Sequence, residues 1–345
     1  MLSAMRAWLL DHPGPPGSLR LADVPSPWQA HVSTRREVEV LVKVEAVGLN
    51  PVDFKSARAG HPLWHYPHIP GVDVAGLVVA VHADRAARRE FGWMLPQPGT
   101  RVVFHNDLRE GGGFAEFVAV APESLATIPP TIDPIAAASL PTAGLTALDA
   151  IERRLRAIVG HTVLIHGASG GVGGFAVQLA KLFGAKVIAT ARPENDTAVR
   201  ALGALHVVDY RAPDFAEQVR RIAPGGVDAV IDTVSARSAT QGLELLRHAG
   251  HLVAVAGRPD LSVVPEFGLA PTVSEVALGA AYTHGGFAGR RWLTWGLDRL
   301  MRLIFEGWIH PPDIEVISFE DIPAGLERLA NREVDGKLVA NLRWS

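Results

Sequence analysis

The strongest constraint on the fold is a glycine-rich turn, Gly167-Ala168-Ser169-Gly170-Gly171-Val172-Gly173, set between a short apolar run and a helical one. The run before it, residues 163–166, reads as a buried strand. The run after it, residues 174–183, puts Phe175, Ala176, Leu179 and Leu182 near one helix face. A strand, a tight turn and a helix in that order make half of a βαβ unit. Glycines there let the backbone approach a pyrophosphate, whose charge then meets the helix N-terminus. Gly184 closes the helix and residues 186–190 form the next strand. The cycle repeats with helix 197–202 and strand 205–208, helix 215–222 and strand 228–232, and helix 240–247 and strand 252–256. A last apolar stretch, residues 275–282, reads as a sixth strand. Six strands with crossover helices predict a doubly wound parallel sheet with its ligand crevice at the carboxyl ends of the strands.

The flanks read differently. Residues 1–131 are rich in Val, Pro and Gly, with apolar runs such as 38–44 and 101–104 separated by turn signals, which predicts mostly β-structure. Beyond the sheet come a helix at 290–306, a strand at 314–318, a helix at 322–331 and a strand at 337–342. The 345 residues allow about two domains of ~150 residues. The expected division is residues 132–285 for the parallel sheet and residues 1–131 plus 286–345 for the other domain.

A net charge of −3 offers no basic face to nucleic acid or an anionic membrane. No apolar run approaches the ~18 residues of a membrane span; the richest, residues 135–151, is interrupted by Pro141 and Gly144. The first residues lack the apolar core and cleavage site of a signal peptide, so a cytoplasmic location is expected. The chain has no cysteine, which excludes disulfides, thiol nucleophiles and thiolate-held zinc.

The cofactor is read from the end of the second strand. About 20 residues beyond the glycine turn, an NAD enzyme carries Asp or Glu to hold the ribose 2′-hydroxyl. This chain has Thr190-Ala191-Arg192-Pro193. Arg192 can clamp a 2′-phosphate that a carboxylate would repel, so NADPH is the expected cofactor. The other assignment leaves Arg192 as a solvated loop cation and puts Glu194 or Asn195 at the ribose. Tyr210, at the end of the third strand, either flanks the adenine or packs at the strand end. Ser169, Gly170, Gly171 and Val172 in the loop, with Thr190, complete the cofactor set read from this domain.

Eight segments then occur in one order: AVGLNPVDFK (46–55), PHIPGVDVAG (67–76), PGTRVVF (98–104), GGFAEFVAV (112–120), LPTAGLTAL (140–148), HGASGGVGGFAVQLAK (166–181), DAVIDTV (228–234) and DGKLVANL (335–342). In these the chain resembles the zinc-free quinone oxidoreductase, or enone reductase, branch of the medium-chain dehydrogenase/reductase superfamily. The resemblance implies a Rossmann domain inserted into a GroES-like β-barrel catalytic domain built from both chain ends. It also implies a homodimer joined along the sixth strand, whose apolar edge would otherwise be bare.

The departures from zinc-dependent members bear on mechanism. Where those carry a catalytic Cys this chain has Leu49-Asn50-Pro51, and where they have Gly-His-Glu it has Gly71-Val72-Asp73. A Lewis acid is therefore not expected, and the substrate should be an electrophile needing little activation, a quinone or an α,β-unsaturated carbonyl. His61, His65 and His68 are the one metal-like cluster; the alternative reading makes them loop histidines around an aromatic pocket mouth, and no metal is expected.

By resemblance, Asn50 lies beside the nicotinamide ribose and Asp53 braces its loop. Thr146, Thr233, Val234, Gly257 and the backbone from Leu278 to Ala280 lie near the cofactor, and Lys337 returns towards the cofactor cleft. Tyr66, His61 or water delivers the proton, Lys55 is either an oxyanion charge or a solvated surface cation, and Phe54 and Trp64 suggest an apolar pocket. A short-chain dehydrogenase is excluded, because Tyr66, Tyr210 and Tyr282 have no Lys four residues on. Reduction of another carbonyl or acyl-thioester, and non-catalytic NADPH binding, remain the alternative functions.

Overall fold

The computed structural model describes residues 4–30 and 37–342. The ends of the expected 1–131 and 286–345 spans, residues 1–3 and 343–345, lie outside the described residues, as do 31–36. The chain forms two units. One comprises Ala143–Leu278 with Gly307–Pro312; the other takes its described residues from Met1–Thr142, Gly279–Glu306 and Asp313–Ser345.

The first unit holds a six-stranded, all-parallel sheet in the order His206–Val208, Lys186–Thr190, Thr162–His166, Val227–Asp232, Leu246–Ala254, Thr272–Glu275. Strand order reverses between Thr162–His166 and Val227–Asp232, the switch point at which doubly wound sheets bind ligands. Leu164, Ile188, Val230 and Leu252 are buried in its core. Central parallel strands are covered on both faces, which is why they read as unbroken apolar runs.

Two expected elements are corrected. Residues 275–282 are not a strand: the sixth strand is Thr272–Glu275, and Ala280–Thr283 is a short helix. The run Val276–Ala281 is rich in Ala and Gly rather than β-branched residues, and apolar content alone cannot separate strand from helix at that length. The helix expected at 240–247 is instead Ala236–Leu243, and its strand already begins at Leu246. Ser235 sets the earlier start, its hydroxyl accepting the Ser238 N–H as an N-cap.

The second unit is organised by Val38–Gly48. This strand pairs antiparallel with Asp73–Ala83 on one edge, and its other edge is shared between Phe117–Val120 and Lys337–Asn341. Arg101–His105 continues the sheet beyond Asp73–Ala83. Val42, Val44, Phe104, Phe114 and Leu338 are buried in its core, each stabilising the fold by roughly 1.5–3 kcal/mol. The register matters most at one end: Gly48 faces Asp73 on one side and Val339 on the other, and Asp73 in turn faces His105. The C-terminal strand thus delivers Lys337 to the residues that follow Gly48. Among the described residues no helix is long and apolar enough to cross a membrane.

Candidate functional site

In the parallel-sheet unit the glycine turn is clamped from both sides. Gly167, at φ 78°, donates its N–H to Thr190 Oγ1 at 3.2 Å, and Ala168 N–H reaches the Thr190 carbonyl at 3.1 Å. From the other neighbouring strand, the Thr233 hydroxyl donates to the His166 carbonyl at 2.7 Å. Helix Gly171–Leu182 starts at Gly170, which is extended and provides no side-chain cap. The first-turn N–H groups of the helix are therefore open to an anion, and the dipole favours one there. Gly170 is exposed, while Ser169, Gly171 and Val172 are half-buried around it.

Thr190 is 1% exposed and its hydroxyl is engaged by Gly167, so it acts on the loop from within the unit. Arg192 Nε lies 3.3 Å from Glu194 Oε1, and Arg211 Nη2 approaches the other Glu194 oxygen at 3.9 Å. The Arg211 guanidinium also sits over the half-exposed Tyr210 ring, 5.9 Å from its centroid. Arg192 and Glu194, the two alternatives for the ribose end, thus belong to one cluster. Of the remaining residues expected near a cofactor, Val234 is exposed, Thr146 is buried, and Gly257 approaches Ala236 so closely that a Cβ would lie 2.8 Å from its nitrogen. Leu278 is half-buried, just before the boundary of the unit.

The antiparallel unit buries a polar cluster. Asn50 precedes helix Pro51–Ala59 and donates its N–H to Asp53 Oδ2 at 2.8 Å, the return half of a capping box. Its side-chain Nδ2 donates to the Gly48 carbonyl at 3.1 Å. Lys337 Nζ donates to Asn50 Oδ1 at 2.5 Å and to Asp73 Oδ2 at 3.0 Å. Thr142 donates its N–H and hydroxyl to the other Asp73 oxygen at 2.9 and 2.6 Å. A Cβ on Gly48 would lie 3.0 Å from Lys337 Cε and 2.3 Å from the Ala138 carbonyl oxygen, so the ammonium reaches Asn50 only past a glycine. Burial pushes the Asp53 carboxyl up to about 7, the Asp73 charge adding to the rise against the Asn50 N–H and Lys337.

His105, paired in register with Asp73, is buried with its ring stacked against Tyr282, and burial lowers its pKa. The Tyr282 hydroxyl donates to the His105 carbonyl, and burial raises that phenol above its ordinary range.

Tyr66 and His61 flank buried Trp64 on an outer loop, and among the described residues neither is hydrogen-bonded to the Asn50–Lys337 cluster. His61 Nδ1 instead accepts the Leu63 N–H at 3.2 Å, and His68 is buried flat against Trp64, ring centroids 4.0 Å apart. His65 and Lys55 are exposed, and Phe54 is buried. Among the described residues no group of three His, Asp or Glu is placed to hold a metal.

The structure thus brings Asn50, Asp53 and Lys337 together. It adds Asp73 and Thr142 to them, and Arg211 to Arg192, none of which the sequence had marked for a role. Asp73 was visible as a departure from Gly-His-Glu; Arg211 carried no signal beyond following Tyr210.

The alcohol dehydrogenase GroES-like domain family matches residues 36–130, and the zinc-binding dehydrogenase family matches residues 171–281. The quinone oxidoreductase of Sus scrofa is 32% identical over 235 residues, covering 67% of this chain and 68% of that protein. The quinone oxidoreductase of Mus musculus is 31% identical over 247 residues, covering 70% and 71%. Among solved structures, the quinone oxidoreductase from Coxiella burnetii superposes with a TM-score of 0.80 at 28% identity, over 99% of this chain and 100% of that one.

Proposed function

The chain belongs to the quinone oxidoreductase branch of the medium-chain dehydrogenase/reductases, and on that premise we propose that it is an NADPH-dependent, metal-independent reductase of quinones or α,β-unsaturated carbonyls. The observation that carries this reading is the uncapped start of helix Gly171–Leu182 together with Arg192 at the end of the next strand. The first offers backbone donors to a pyrophosphate; the second offers a guanidinium to a 2′-phosphate. Bound NADPH supplies a hydride for the substrate carbon.

The protein's part is to hold, orient and stabilise charge. The Gly171–Gly173 backbone takes the pyrophosphate, and the rigid clamp on Gly167 spares it reorganisation on binding. The buried amide of Asn50 is a neutral group able to meet charge developing on a substrate oxygen. We assign the proton to water rather than to Tyr66 or His61, since neither is bonded to the Asn50 cluster among the described residues. A thiolate-held metal is absent from this scheme because the chain has no cysteine. The reading extends to a homodimer formed along the exposed edge strand Thr272–Glu275.

The test is nicotinamide absorbance with chelator-treated protein, NADPH or NADH, and a panel of short enones, alkenals and 1,4-quinones. Turnover with NADPH that survives chelation and is much slower with NADH supports the proposal. Tight NADPH binding with no turnover on any of the panel moves the assignment to a binding protein. Activity abolished by chelation and restored by a divalent metal overturns the metal-independent scheme.

A further inference from the structure

The hydrogen bonds of Asn50 fix which way its amide points. An ammonium has only donors, so the atom 2.5 Å from Lys337 Nζ is the amide oxygen. A carbonyl only accepts, so the atom 3.1 Å from the Gly48 oxygen is the amide nitrogen. Two partners of opposite kind exclude the flipped amide. The oxygen faces Lys337, one N–H is held by Gly48, and among the described residues the second N–H has no acceptor. That second N–H is the one donor of the Asn50 amide left unengaged, on a residue only 2% exposed.

Lys337 is held in turn. It is 4% exposed, and its charge is balanced by Asp73, which is 0% exposed and fixed by two hydrogen bonds from Thr142. These groups come from three separate stretches of chain brought to one sheet end: Asn50 after Val38–Gly48, Asp73 at the start of its strand, and Lys337 at the start of the last. Asn50 and Asp73 stand in the two segments where zinc-dependent members carry Cys and Gly-His-Glu. Here a buried ammonium bridges them.

We propose that Asn50 is the catalytic donor to the substrate oxygen, and that Lys337 and Asp73 are positioning residues that lock its amide in the donating orientation. The inference rests on the reductase reading above. Hydride addition to carbon sends an electron pair to the substrate oxygen; the Asn50 Nδ2–H stabilises that oxygen until water protonates it, and the cofactor is left oxidised. Removing Lys337 takes away the ammonium that holds the amide oxygen and leaves the Gly48 carbonyl to orient the group, so the donor is held less firmly towards the developing charge.

The test uses the full chain with NADP⁺ and 4-nitrophenol, a stable phenolate whose visible absorbance reports its ionisation in the site, alongside steady-state enone reduction. Asp73→Asn/Lys337→Met removes both buried charges together and leaves neither stranded; Asn50→Ala removes the donor. In both variants kcat should fall by about 100-fold, with NADPH affinity within a few-fold of wild type. The pKa of bound nitrophenol, lowered in the wild type, should return towards its free value. Unaltered thermal midpoints and NADPH affinity with that spectral change support the lock. Wild-type kcat and an unchanged nitrophenol spectrum in the double variant overturn it. Failure of wild-type protein to bind NADPH overturns instead the reading on which it rests.

Discussion

Gly173 sits so close to Gly167 that a Cβ on it would lie 2.1 Å from the Gly167 carbonyl oxygen, well inside contact distance. The obstructing atom is backbone, and that backbone is anchored by Thr190, so it cannot give way cheaply. Gly173→Ala should push the turn out of register with the helix start. The expected cost is about 1–3 kcal/mol in stability and at least about tenfold in NADPH affinity, read by thermal denaturation and fluorescence titration. An alanine variant that binds NADPH as wild type would show that the turn does not hold the pyrophosphate.

Arg192, Glu194 and Arg211 give separable predictions for cofactor choice. Arg192→Ala should weaken NADPH about tenfold and leave NADH almost untouched, because only NADPH has a 2′-phosphate to lose. Glu194 draws both guanidiniums towards its own carboxylate, so a phosphate must displace it. Glu194→Gln should therefore raise NADPH affinity, modestly, since all three groups are solvent-screened. Titrations at low and high salt check this: the gain should shrink with salt. A Glu194→Gln variant that instead binds NADH more weakly, with NADPH unchanged, would give the ribose to Glu194.

Most of the parallel-sheet unit was legible in the sequence because buried parallel strands leave unbroken apolar runs and the glycine turn is local. The reading failed where local pattern is ambiguous. At 276–281 apolar content stood for a strand, yet the chain turns into helix Ala280–Thr283, whose Tyr282 hydroxyl finds the distant His105 carbonyl. The polar cluster was half legible. Asn50 and Lys337 were marked by resemblance, but their bond spans 287 positions and depends on the last strand pairing beside Val38–Gly48. No window of sequence contains that pairing. Asp73 becomes a partner only once its register places it opposite Gly48.

His68 should make the fold acid-sensitive. Burial against Trp64, with the nearby His61 charge, holds its pKa at about 4, below the ordinary 6.5. As pH falls from 6.5 towards 4 the unfolded chain takes up a proton that the folded one refuses. Stability present above 6.5 is then lost across that window, by about 3 kcal/mol in total. His68→Phe retains a ring against Trp64 and removes the titration. Denaturant unfolding at several pH values should show the variant's stability relative to wild type growing as pH drops below 6.5. A difference independent of pH would mean that His68 takes up its proton in the fold as readily as in the unfolded chain.

Asp53 should act in the opposite sense. Its carboxyl is raised from 3.8 to about 7 by burial and by Asp73, against the Asn50 N–H, Lys337 and the Val72 backbone. Between those values the folded state holds a proton that the unfolded state has released. Stability is greatest at the acid end of the window and declines as pH climbs through 7, by about 4 kcal/mol in full. Asp53→Asn keeps an oxygen to accept the Asn50 N–H and cannot ionise, so its stability relative to wild type should rise from pH 4 to 8. The same ionisation places a negative charge on the carboxylate bonded to the Asn50 N–H, beside the amide proposed to meet an anionic substrate oxygen. Wild-type kcat should therefore fall as pH rises through about 7, and the Asp53→Asn variant should lose that limb of the profile. If the variant keeps both the alkaline fall in rate and the wild-type slope of stability, Asp53 is ionised throughout and some other group sets the pH response.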